Sequence, residues 1–155
     1  MTETFSTTRQ YLEMVAGQMP RSFERFVLQH GEEHQPHTTK CLHRGKMKEC
    51  FMNAYRLVDR SNGALWYCEG FAWSIIPVLH AWAVDKDGNV FEPTWRDIGI
   101  SYFGIAFKME FVRDTILRRG RYGVIDDMEN RFELITKTPP VSQWKETLKP
   151  CRPQS

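Results

Sequence analysis

Between Ala64 and Trp95 the chain changes period in a way that leaves few folds open to it. ALWYCEGFAWSII (Ala64 to Ile76) and VLHAWAV (Val78 to Val84) are dense in aromatic and β-branched side chains, which pack well on a pleated surface. DKDGN (Asp85 to Asn89) follows, with an Asp-Gly pair suited to a tight hairpin, and leads into the short strand VFEP. The predicted unit is an antiparallel sheet. Its acidic turn also carries calcium-ligand types, but the glycine falls at the fourth place rather than the sixth and Arg96 stands where a bidentate Glu is needed.

Helical spacing brackets this sheet. Tyr11, Met14, Val15 and Met19, then Phe23, Phe26 and Val27, predict two short helices divided at Pro20. HGEEHQPHTTKCLHRGK (His30 to Lys46) follows neither period and reads as a long polar loop around Pro36 and Gly45. KECFMNAYRLV (Lys48 to Val58) predicts a largely buried helix, ended by Ser61-Asn62-Gly63. Further on, FGIAFKMEFV reads as another strand and VRDTILRRG as a helix capped by Gly120, before a proline-bearing tail from Thr138.

At 155 residues and 41% hydrophobic content, one domain over residues 1–155 is expected, with N-terminal helices and loop (1–47), a central core (48–95) and a C-terminal strand, helix and tail (96–155). The formal charge of +2 exerts no global pull toward nucleic acid or lipid. No apolar run approaches a membrane span, and the N-terminus lacks the basic-then-apolar order of a secretory signal, so a cytoplasmic protein is expected. Four irregularly spaced cysteines suit reduced thiols better than a disulfide framework.

The chemistry-bearing residues fall in one order. Cys50 stands at a helix start, where the helix dipole favours a thiolate. His80 follows 30 residues later on a strand, and Glu92 comes after the hairpin, placed to hold an imidazole in one tautomer. KECFMNA, EGFAW (Glu69 to Trp73), HAWAVD (His80 to Asp85) and FEPTW (Phe91 to Trp95) together resemble the core of the transglutaminase-like superfamily, within the papain-like group of cysteine enzymes. The chain is also similar to small proteins encoded by bacteriophages, a resemblance that supplies no activity.

The resemblance implies an α+β fold with a papain-like or transglutaminase-like core, in which the nucleophile helix packs on an antiparallel sheet. It implies Cys50 as nucleophile, His80 as general base and acid, and Glu92 as third member, acting on a protein or peptide amide without a cofactor. The chain departs from the family in two places. Glu replaces the usual Asp before Pro-Thr, so its contact with His80 must be re-aimed by the backbone; and Lys48-Glu49 replaces the usual approach to the cysteine, leaving the oxyanion donor open between the Cys50 N–H, Asn53 and a loop residue. Asn53, Trp82 and Trp95 are the candidates to line the substrate, although the tryptophans also suit a core.

Rival readings come from other stretches. His30, His34, His37, Cys41 and His43 are zinc-ligand types, but their spacing matches no standard pairing and no metal is expected. The same loop, passing Cys50, reads as a cover over the cleft. Arg113, Arg118, Arg119 and Arg121 form a basic run able to meet an acidic partner. The alternative function is a binding or inhibitory module without catalysis, phage-encoded and directed at a host protein in the host cytoplasm, with Arg118 and Trp144 as candidate surface.

Overall fold

The computed structural model describes residues 6–37 and 44–148. Two helices open the chain, α1 (Thr8–Gln18) and α2 (Phe23–His30). Thr7 and Ser22 cap them, each hydroxyl accepting a first-turn N–H, from Gln10 and Arg25. The buried row of α1 is Thr8, Leu12 and Ala16, with Met19 exposed. That rotation from the apolar row read in the sequence follows from Thr8, whose N–H and hydroxyl are bonded to Ser101 across the fold.

The expected loop after α2 begins instead with a strand, β1 (Glu32–Pro36), in which only His34 is buried. Its order comes from backbone pairing rather than from apolar side chains. The helix α3 (Cys50–Arg60) follows, then β2 (Trp66–Trp73), β3 (Pro77–Val84), β4 (Asn89–Phe91) and β5 (Ser101–Phe107). The strands close a barrel in the order β1-β4-β3-β2-β5. All neighbours are antiparallel except β1 and β4, which run parallel through Gln35 opposite Asn89 and Pro36 opposite Val90. The expected antiparallel sheet is therefore present, but closed by a polar strand.

Alternation along each strand divides the side chains into two clusters. Tyr67 and Phe71, Ala81 and Ala83, and Phe103, Ile105 and Phe107 pack with Leu12, Phe26, Ala54 and Val58 of the helices. On the opposite face Cys68, Ala72, Trp82, Val84, Tyr102 and Ala106 form the second cluster. Trp82 leaves no room for a side chain at Gly104: a Cβ there would lie 2.6 Å from its ring and 2.7 Å from the Glu69 carbonyl. Gly104→Ala is expected to destabilise the fold by about 1–3 kcal/mol through overpacking, measured as a fall in urea midpoint at unchanged slope.

After β5 the chain turns directly into helix α4 (Met109–Arg119), so the sequence KMEFV continues no strand. Lys108 is extended and its N–H is taken by the Trp144 carbonyl, which leaves Met109 to begin a helix whose Val112 and Thr115 are buried at helical spacing. Gly120 ends it at φ 72°, as expected. The arginines of this region are paired: Arg113 with Asp59, Arg118 with Glu133, Arg119 with Asp127 and Glu129, and Arg121 with Glu129. Trp144 is fully buried against Phe26, His30 and Phe107, so it offers no surface for a partner. Among the described residues no helix is long and apolar enough to cross a membrane.

Candidate active site

Helix α3 packs on β3 and β2, and Cys50, its first residue, is half-buried. The Ala81 N–H reaches the thiol, as does that of Phe51. β4 pairs with β3 only at Ala83 and Val84, so the β3 backbone beyond it is open to α3. Since Ala81 follows His80 directly, the fold brings the helix start to the histidine's own stretch of strand.

His80 is buried on the face shared with Trp82, and its Nε2 lies 2.7 Å from Glu92 Oε1. Trp95 covers the ring face to face, with centroids 3.9 Å apart and planes at 11°. Glu92 stands just beyond β4 and receives three further donors. The Tyr102 hydroxyl donates to Oε1 at 2.8 Å, and the Thr94 and Trp95 N–H groups donate to Oε2 at 3.0 and 3.1 Å. The extra methylene of Glu is thus absorbed by a turn in which the side chain folds back over its own following backbone. Four donors on two oxygens suit a carboxylate, and hold it rigid. With the Nε2 proton directed at Glu92, Nδ1 is the nitrogen left to act as a base.

Burial pushes the Cys50 thiol up to about 11; the charges of Glu69 and Glu92 push the same way, while the Ala81 and Phe51 N–H groups oppose them. The acids that weigh on the thiol are therefore brought from other strands. At neutral pH burial therefore favours the protonated thiol.

The other expected contributors separate on inspection. Asn53 is buried, and its amide N–H groups donate to the Lys46 carbonyl at 2.8 Å and the Thr94 hydroxyl at 3.0 Å. It ties the approach segment to the Glu92 turn, which removes it as an oxyanion donor or substrate contact. Trp82 is fully buried and donates to His34 Nδ1 at 3.0 Å, so it is core rather than lining. Trp95, half-buried on His80, keeps the position of a wall.

Of the histidine cluster, His30 lies on α2 against Trp144, His34 within β1 and His37 beside Phe91. Cys41 and His43 fall outside the described residues, as does Cys151. Among the described residues no group of three or more His, Cys, Asp or Glu is arranged to hold a metal ion. The expected cover over the cleft has a described part: the Gly45 N–H donates to the Pro93 carbonyl at 2.7 Å, beside Glu92. Its earlier part, His30 to Pro36, belongs to α2 and β1 instead, so it cannot lift without opening the barrel.

Sequence reasoning missed Tyr102 and Thr94. Thr94 belongs to the FEPTW motif itself, whereas nothing near Tyr102 in the sequence signals its contact with Glu92. A hollow of about 810 Å³ lies elsewhere, lined by Met19, Phe23, Phe26, His30, Phe132 and Ile135. None of the three candidate catalytic groups lines it, and its walls are mainly apolar. No family model, curated protein or solved structure matches the chain, and the functional reading rests on this geometry and the motifs that build it.

Proposed function

We propose that this protein is a cysteine-dependent acyl-transfer enzyme, with a transglutaminase-like core, that acts on a protein or peptide amide as a peptidase, deamidase or transglutaminase. The observation that carries the reading is the 2.7 Å contact of His80 Nε2 with a four-fold bonded Glu92, next to the Ala81 N–H that meets the Cys50 thiol. His80 Nδ1 takes the thiol proton as sulfur attacks the acyl carbon. Glu92 stabilises the imidazolium that forms. The carbonyl oxygen, gaining charge, is received by the Cys50 N–H at the helix start. His80 then returns the proton to the departing amine, leaving a thioester that water or a second amine resolves, with the thiol regained.

Incubation with an activated acyl ester, followed by intact mass and peptide mapping, tests this. One acyl group on Cys50 is expected, with formation slowed at least about a hundredfold in His80→Ala by loss of the base. Acylation spread over several cysteines, or unaffected by His80→Ala, would overturn the reading. The raised affinity of the Cys50 thiol for its proton favours the rival, a binding module that keeps the fold without catalysis. Under that reading Cys50→Ala leaves any effect on a host protein intact.

A further inference from the structure

The site just described uses one of the two buried carboxylates around Cys50; the other is Glu69. Its side chain is fully buried on the helix-facing side of β2, between Tyr67 and Phe71. In the sheet register Glu69 lies directly opposite Ala81, whose N–H meets the Cys50 thiol. Side chains opposite one another on antiparallel strands are about 5 Å apart at Cβ, so this places a carboxylate behind the nucleophile on the same stretch of sheet.

Glu69 is held firmly. Tyr67 donates its hydroxyl to Oε1 at 2.5 Å, the Val124 N–H donates to Oε1 at 2.6 Å and the Ile125 N–H to Oε2 at 3.0 Å. The segment it grips packs back on the nucleophile helix, because Gly123 lies against the ring of Phe51. Arg119 is the cation that acts on it, and that guanidinium is already engaged by Asp127, Glu129 and the Gly123 carbonyl. The titratable groups nearest Glu69 are Tyr67 on the same face of its strand, Cys50 on α3 and Arg119 on α4, with Cys68 next in sequence on the opposite face. A buried carboxylate with no cation of its own has a strong field on whatever ionisable group lies nearest.

We propose that Glu69 is a positioning residue of the Cys50 site, whose negative charge, on the side of the sheet that faces α3, adds to burial in holding the nucleophile as a thiol until His80 removes the proton. The proposal rests on the reading of Cys50 as nucleophile. It assigns opposite duties to the two acids: Glu92 stabilises the imidazolium, and Glu69 prevents a standing thiolate that would react without substrate. Glu69 itself is raised by burial to about 7, against the pull of its three donors and of Arg119, so its charge turns on across neutral pH.

The test is the rate of Cys50 alkylation by iodoacetamide from pH 5.5 to 10, read by peptide mass, with near-UV circular dichroism to check folding. In Glu69→Gln the rate at pH 8 is expected to rise about three- to tenfold, as loss of one nearby charge through a screened interior implies. Glu69→Asp, which keeps the charge while disturbing the grip on Val124 and Ile125, is expected to leave the profile's midpoint in place. Equal shifts in both variants would mean that loosening, not charge, exposes the thiol, and no shift in either would also overturn the proposal. Should Glu69→Gln not fold, His80→Ala carries the same signature without the imidazole's own titration. There the alkylation rate is expected to climb by less than the tenfold per pH unit of an isolated thiol between about pH 6 and 8, and a full tenfold slope would overturn the proposal. Thiol reactivity is read throughout, so failure of acyl transfer at Cys50 is a separate result that counts against the functional reading alone.

Discussion

Glu92→Gln is expected to slow acyl transfer from an activated ester by about 10³- to 10⁴-fold, the scale of losing the orienting acid from a nucleophile–histidine–acid triad. The substitution keeps size and nearly keeps shape, so the Thr94 and Trp95 N–H groups still find an oxygen to bond, while the Tyr102 hydroxyl, which shares Oε1 with His80, meets the amide nitrogen and turns to accept from it. What changes is the group facing His80 Nε2 at 2.7 Å. Four donors already converge on the Glu92 oxygens, and an amide brings hydrogens of its own into that crowd. The amide oxygen satisfies the backbone donors, its NH₂ turns to His80, and the imidazole moves its proton to Nδ1. A protonated Nδ1 accepts nothing from the thiol. Ester hydrolysis at pH 8 together with thermal melting checks this: a melting point near wild type with a rate loss of less than tenfold would make the contact scaffolding rather than catalysis.

Trp82→Ala is expected to cost about 3–5 kcal/mol, the range for removing a buried large aromatic. Against a total stability of about 5–15 kcal/mol for a domain of this kind, that is a large share of what holds the chain folded. Trp82 is fully buried over Gly104, edge-on to Tyr102 with centroids 5.0 Å apart, and its ring N–H is bonded to His34 Nδ1. His34 Nε2 has no hydrogen-bond partner among the described residues, the Glu32 carboxylate lying 3.9 Å away, so loss of Trp82 also takes the partner of Nδ1 from the only buried side chain on β1. The strand that closes the barrel would lose its one anchor as well as its packing. Urea titration measures the cost; a loss below about 1 kcal/mol would show that the cluster around Trp82 collapses to fill the space.

The elements legible in the sequence are those whose pattern is local. The alternation from Trp66 to Val84, the Asp-Gly hairpin and the buried face of α3 each place a regular apolar period in consecutive residues, and the structure forms each where that period runs. A short step further out, local pattern already misleads. FGIAFKMEFV is apolar throughout and continues as a strand on that criterion, yet the helix starts at Met109, because Lys108 is drawn to the Trp144 carbonyl from a segment more than thirty residues away. The row of α1 chosen for burial is likewise set by Ser101.

For the site, the order of Cys50, His80 and Glu92 and the single-turn distance across the hairpin were readable, as was the difficulty posed by a Glu where an Asp is usual. The solution to that difficulty was not, since it consists of backbone N–H groups at 94 and 95 and of Tyr102, none of which has a sequence signature for accepting or donating to a particular acid. Glu69 stood in full view within EGFAW, but an acid on a strand of alternating period reads as solvent-facing; only the segment at Val124 and Ile125, folded over it, makes it a buried charge. β1 is the clearest case. Glu32–Pro36 is polar at four of five positions, and becomes a strand because closing the barrel offers its backbone partners on both sides, parallel in β4 and antiparallel in β5. The sequence by itself determined which segments are helices and strands wherever side chains repeat along the chain. The tertiary structure alone decided which backbone groups, carboxylates and rings meet across it, because hydrogen bonds and charges act between groups distant in sequence and leave no period behind.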